Sequence, residues 1–309
     1  AASLGSKRRN LAMTEPDELY SLRNFFWLGA WQRAVSEGSS LTRLPEPLKI
    51  ESREFVYRSY VALGQHNIVL SEVADGPSTP VALQAVKLLA RYQALPAEKD
   101  IVLGTLNEWL GDPAYADSAT LQLMGAIIFL GESNTKEALR CIHLGTTMEH
   151  LALSVQIYLR MNRPDLATKQ LRLMQQADED AALTQLASAW VNLAQGGAKL
   201  QEAAYIFDEL IDKFGSTVTL LNGVAVAHIQ MGKFDEAEKY LMDAISKGQN
   251  DPDTLINLIC CYQHMGKSSD LVNRHISQLK TVAPNHPFVA QLATVEAAFD
   301  RVSAGFAQS

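Results

Sequence analysis

Apolar residues recur at helical spacing through most of this chain. Leu200, Ala203, Ala204, Phe207, Leu210, Ile211 and Phe214 fall on one stripe, the buried face of an amphipathic helix over 199–214. Gly215 stops it. Phe234, Ala237, Tyr240, Leu241, Ala244 and Ile245 repeat the theme over 234–247. The opposite face of that segment carries Asp235/Lys239 and Asp243/Lys247 four residues apart. Such pairs contribute only a few tenths of a kcal/mol each, so this face reads as solvated. Gly248 and then Asn250-Asp251-Pro252 end one helix and start the next. Between these amphipathic (B-type) segments lie the more uniformly apolar A-type segments 179–195, 217–231 and 253–265. A helix apolar on most sides is buried on most sides, which predicts an inner layer of A helices behind an outer layer of B helices. Sustained period-2 alternation is missing, so no strand is expected.

The pattern also repeats. Met231-Gly232-Lys233 returns as Met265-Gly266-Lys267, and Glu202-Ala203 returns as Glu236-Ala237, both 34 positions later. That period belongs to the tetratricopeptide (TPR) helix–turn–helix unit, which must stack on its neighbours to bury its apolar face. Upstream pairs fit 148–161 with 165–176, 117–130 with 135–144, 80–93 with 97–110, 53–63 with 66–74, and 17–28 with 30–37. Ala138, Ala167, Ala203 and Ala237 mark equivalent B-helix positions at steps of 29, 36 and 34. The expected fold is all-α: a TPR-like solenoid (right-handed superhelix) over 15–305. Its repeats are degenerate over 15–145 and clearer over 146–281, and a C-terminal capping helix covers 286–304. Residues 38–50 read as the least regular linker and 1–14 as a disordered tail. Ala225, Ala237 and Ala244 sit where paired helices approach closely. A large side chain at 237 is expected to overpack that contact and cost roughly 1–3 kcal/mol.

Composition narrows the function. The 309 residues carry a formal net charge of −7, whereas a nucleic-acid reader displays a basic face. Lys7-Arg8-Arg9 is the one basic cluster; it reads as part of the solvated tail, with a phosphate- or acid-binding arm as the second reading. Cys141, Cys260 and Cys261 form neither a disulfide framework nor a CxxC pair, which suits a reducing compartment. The first thirty residues show no signal-peptide core, and no apolar run approaches the ~18 residues of a spanning helix. The expectation is a cytosolic protein. Catalytic, cofactor and metal patterns do not emerge. Gly266-Lys267-Ser268 resembles the end of a P-loop, but Cys261 stands where the motif needs glycine. Cys260 and Cys261 read as buried inert thiols, and His228 and His264 as packing residues.

Five polar residues interrupt the apolar A helices: Gln156, Ser188, Asn192, Asn222 and Asn257. Either they satisfy interhelical groups, or they line a groove and bond a bound polypeptide. An amide buried without partners costs roughly 1–3 kcal/mol, so each needs one or the other. TPR domains that clamp a terminal carboxylate use Lys and Arg on these helices. The segments 179–195, 217–231 and 253–265 contain neither, which disfavours a carboxylate-tail binder.

Several stretches resemble the epsilon-subunit family of coatomer, the vesicle coat complex: DELYSLRNFFWLGAWQRAVSE (17–37), DEDAALTQLASAWVNLAQGGAKLQEAAYIFDEL (178–210), TLINLICCYQHMGK (254–267), NRHISQLK (273–280) and HPF (286–288). Runs such as AWVNLAQGG and TLINL go beyond the small and aromatic positions that generic repeats share. The resemblance spans 17–305, strongest from 150 onward and weaker over 64–120. It implies a non-catalytic coat subunit in Golgi-to-ER and intra-Golgi transport. Its solenoid would wrap the C-terminal domain of the alpha subunit, and it would meet the membrane only through the coat. Empty A-helix surface could drive self-association of the isolated chain. The readings set against this one are another TPR adaptor in membrane traffic, such as a fusion-machinery attachment protein, and an all-α enzyme with an unrecognised site.

Overall fold

The computed structural model describes residues 17–307; the tail reading of 1–14, including Lys7-Arg8-Arg9, lies outside them. Helices follow one another in antiparallel pairs: α1 (Tyr20–Trp27) with α2 (Trp31–Ser40), α3 (Glu46–Ala62) with α4 (His66–Glu72), and α5 (Val81–Ala94) with α6 (Lys99–Gly111). Then come α7 (Ala119–Gly131) with α8 (Thr135–Ile142), α9 (Met148–Arg160) with α10 (Pro164–Ala177), and α11 (Ala182–Gln195) with α12 (Lys199–Phe214). The last pairs are α13 (Val218–Gln230) with α14 (Phe234–Lys247) and α15 (Pro252–His264) with α16 (Ser269–Val282), before the single helix α17 (Pro287–Ala307). No strand occurs among the described residues. Each A helix packs on its own B helix and on the A helix of a neighbouring pair, which is the stacking that the 34-residue period predicts.

One turn geometry recurs between A and B helices. Gly29, Gly64, Ser133, Asn162, Gly232 and Gly266 all adopt the left-handed conformation, with φ between 55° and 80°. In each case the next residue's N–H donates to the carbonyl five positions back, as Lys233 does to His228 at 2.9 Å and Asn134 to Phe129 at 2.8 Å. This is the Schellman closure that satisfies the last carbonyls of a helix. The B-to-A junctions before α9, α13 and α15 use side-chain caps: the hydroxyls of Thr147 and Thr217 and the carboxylate of Asp251 accept N–H groups of the first turns of these helices. Ala225, Ala237 and Ala244 are fully buried, as the small-residue reading requires.

The expected linker over 38–50 is mostly helix. Helix α2 runs to Ser40 and α3 begins at Glu46. Gly38 is helical because α3 crosses close by; a Cβ there would collide with Val56 Cγ2. Pro47 sits in the first turn of α3, where proline's missing N–H costs nothing. Small-residue packing and a helix-starting proline had the composition of a loop.

The chain also turns back on itself. Leu28, 1% exposed, lies in a core shared with Ala182, Leu186, Ala189, Phe207, Leu220 and Val224. The Thr217 hydroxyl, besides capping α13, donates to the Leu28 carbonyl at 2.6 Å. Arg33 Nη1 donates to the Phe214 carbonyl at 2.7 Å. Gly29 passes so near the α13 N-terminus that a Cβ would lie 2.5 Å from Thr219 Oγ1. The first helix pair thus closes against α11–α13, more than 140 residues away.

Helix α17 is held at its start, where Phe288 and Val289 join the core of α15 and α16. Lys280 pairs with Glu296 at 3.5 Å. Farther along, Val295, Phe299 and Val302 are exposed.

Candidate partner-binding surface

The inner face is built from A helices, and two adjoining cavities open on it. The first, about 190 Å³, lies among α1, α3, α7, α9 and α11; its walls include Trp27, Leu123, Ile127, Leu153, Leu183 and Trp190, with Gln156 beside them. The second, about 340 Å³, lies along α11, α13 and α15 and is lined by Trp190, Leu193, Val226, Ile256, Asn222 and Asn257, with Asp251 and Asp253. Trp190 is the wall common to both.

The five sequence candidates separate here. Asn222 and Asn257 come together: Asn257 Nδ2 donates to Asn222 Oδ1 at 2.9 Å, while Asn222 Nδ2 donates to Thr254 Oγ1 at 2.7 Å and to the Val218 carbonyl at 3.0 Å. Thr254 in turn donates to Asp251 at 2.6 Å. This chain ties α13 to α15, which is the interhelical role. It leaves the Asn257 carbonyl oxygen on the cavity without a bond among the described residues. Gln156 is exposed on the other cavity, and among the described residues nothing bonds its amide. Ser188 and Asn192 are half-buried on α11, without side-chain bonds among the described residues.

The floor of the smaller cavity is a buried ion cluster. Arg58 is 8% exposed, and its guanidinium bonds Glu149 with both Nη atoms, at 2.7 and 2.9 Å, and Glu54 at 3.1 Å. Trp27 Nε1 donates to Glu149 at 3.0 Å, and the Thr120 hydroxyl donates to Glu54 at 2.8 Å. The guanidinium also lies over Phe26, 4.5 Å from the ring centroid. Burial alone would raise the Glu149 pKa, but the charge and hydrogen bonds of Arg58, helped by Trp27, hold it below the usual carboxylate value. At Glu54 burial prevails over Arg58 and the pKa rises. The cluster joins α1, α3, α7 and α9, so side chains far apart in sequence tie these helices together. Sequence reasoning missed it. Glu54 and Arg58, four residues apart on α3, look like an ordinary surface pair and Glu149 on α9 like a solvated charge, and Trp27 and Trp190 look like ordinary core.

The other chemical suspects are packing residues. His228 stacks on Tyr240 with centroids 5.6 Å apart and His264 on Phe234 at 4.9 Å; the buried His228 Nδ1 has no hydrogen-bond partner among the described residues. Burial lifts the Cys261 thiol to about 11, and Cys261 donates to the Phe234 carbonyl at 3.3 Å, so it is no nucleophile. Among the described residues no cluster of His, Cys, Asp and Glu could hold a metal, and no helix is long and apolar enough to cross a membrane.

Known proteins agree with this architecture. The family profile of the coatomer epsilon subunit matches residues 15–307. Coatomer subunit epsilon-2 of Arabidopsis thaliana is 47% identical over 286 residues, 93% of this chain and 96% of its own. Coatomer subunit epsilon-1 of Oryza sativa subsp. japonica is 45% identical over 289 residues, 94% of this chain and 98% of its own. A tetratricopeptide repeat protein from Parabacteroides merdae superposes with a TM-score of 0.59 at 13% identity, over 85% of this chain and 97% of its own, which establishes the TPR-like fold. Matched along nearly its whole length, the chain belongs to the coatomer epsilon-subunit family and is a structural component of a vesicle coat, not an enzyme.

Proposed function

We propose that the inner face along α11, α13 and α15 holds the C-terminal domain of the coat's alpha subunit. The chain thereby stabilises that subunit in the outer layer of the coat, on the cytoplasmic side of Golgi membranes, in Golgi-to-ER and intra-Golgi transport. The observation that carries this reading is the 340 Å³ cavity: apolar walls, amide groups and two carboxylates converge there, on helices that contain no Lys or Arg. Apolar surface with a few fixed polar groups is what a polypeptide partner needs for burial and register. A solenoid that wraps a domain buries more than a standard ~1,600 Å² interface. Binding to the folded chain alone then raises its apparent stability by mass action.

The test is a pair of melting curves, for the chain alone and with the C-terminal domain of the alpha subunit at saturating concentration. The complex should melt higher. Equal melting temperatures would remove the obligate pairing.

A further inference from the structure

The smaller cavity has a shape and chemistry of its own. At about 190 Å³ it exceeds an engineered apolar cavity of ~150 Å³ that stays dry and binds benzene. Two of its walls are the half-buried indoles of Trp27 and Trp190. Its floor asks for nothing: Glu149 already accepts from Trp27 and from both Nη atoms of Arg58. A cationic side chain entering here would meet the Arg58 guanidinium with Glu149 already engaged. An anionic one would meet the Glu149 carboxylate. The polar groups left over are the Gln156 amide, exposed where the cavity meets solvent, and the Trp190 indole N–H. Neither has a partner among the described residues. Apolar walls, ring-sized volume and a solvent-facing amide at the rim with no protein partner among the described residues describe a receptor for a neutral ring with a polar edge.

We infer that this cavity is an anchor site for one aromatic side chain of the partner polypeptide. The ring lies against Trp27 and Trp190, and its polar edge turns toward Gln156. The inference rests on the reading that the inner face holds a polypeptide. It adds a specific requirement: a tyrosine-class side chain entering between α1 and α11, apart from the contacts along α13 and α15. Aromatic anchors seated in a desolvated pocket carry a disproportionate share of interface energy. This one would also pack the seam where the first helix pair closes.

The experiment is calorimetric titration of p-cresol, the isolated tyrosine side chain, into the full chain. Cyclohexanol serves as the aliphatic ring with the same hydroxyl. We expect p-cresol to bind with a dissociation constant of ~0.1–1 mM, within the efficiency open to a ligand of eight heavy atoms. Cyclohexanol should bind at least about fivefold more weakly, because it forgoes the aromatic contacts. Ile127→Trp, which fills the cavity from α7, and Gln156→Trp, which blocks its mouth from an exposed position, should each weaken p-cresol at least about tenfold. Gln156→Trp keeps the test valid if Ile127→Trp fails to fold. In the complex with the C-terminal domain of the alpha subunit, p-cresol binding should vanish. No binding to the free chain, binding to both blocked variants as tight as to the unaltered chain, or undiminished binding in the complex would each overturn the anchor site. Failure to form the complex would remove the partner reading instead, and the titration of the free chain would still decide the chemistry of the cavity.

Discussion

Leu28→Ala measures the closure of the first helix pair against the far half of the chain. Leu28 is 1% exposed, and much of its cage comes from α11, α12 and α13. Losing three carbons from a buried site costs about 2.4 kcal/mol, at roughly 0.8 kcal/mol for each methylene. A residual void of ~50 Å³ adds about 1.2 kcal/mol. The expected loss is therefore about 3–4 kcal/mol, within the range seen for Leu→Ala in packed cores. Because Leu28 bridges segments distant in sequence, the damage should concentrate at the seam. Hydrogen exchange over 20–40 should accelerate, while α15 and α16 keep their protection. Urea unfolding followed by circular dichroism gives the global value. A loss below about 1 kcal/mol with unchanged exchange over 20–40 would mean that the cage around Leu28 does not persist in solution, and the closed arrangement would be wrong.

Further outcomes follow from other sites. Arg58→Ala leaves Glu54 and Glu149 buried without their cation and should cost about 3–5 kcal/mol by urea unfolding. The orphaned carboxyls then favour their protonated forms, so this variant should be more stable at pH 5 than at pH 8. His150, His228 and His275 each have a pKa lowered first by burial. The unfolded chain therefore takes up their protons more readily. Their contribution is complete above an unfolded pKa near 6.5 and declines as pH falls through it toward the folded values. Melting temperature should drop between pH 7.5 and 5.5, and His150→Leu should flatten part of that slope. Asn222→Ala unmakes the bonds to Thr254 and Asn257 and should cost about 1–3 kcal/mol. Asn192→Ala should stay within about 0.5 kcal/mol, so a fall in its affinity for the alpha-subunit domain, by calorimetry, reports a direct contact. Unchanged affinity in both variants would remove these residues from the groove. Ser133→Gly relieves a left-handed backbone, φ 58°, and should stabilise the chain by about 0.5 kcal/mol in the same unfolding assay.

The helices were legible because burial writes a 3.6-residue period into the chain. Segments 199–214 and 234–247 match α12 and α14 to the residue. The repeat was legible where glycine marks the turn, at Gly232 and Gly266. It faded where Ser133 and Asn162 hold the same left-handed geometry without the glycine signal. Residues 38–50 misled because Gly38 and Pro47 serve packing and helix initiation rather than a loop. Closure of the first helix pair was invisible: Leu28, Thr217 and Arg33 carry no local signature, and their partners are set by the summed curvature of the repeats. The polar candidates were legible only as a choice between two roles. Asn222 and Asn257 turn out to bond each other across α13 and α15, while Gln156 faces a cavity whose tryptophan walls looked like core.

Co-expression with the C-terminal domain of a coatomer alpha subunit, followed by size-exclusion chromatography with light scattering, shows whether the solenoid holds that domain. One stoichiometric heteromeric peak is expected, with any self-association of the free chain giving way to it. Separate elution of the two proteins at micromolar concentration would contradict it.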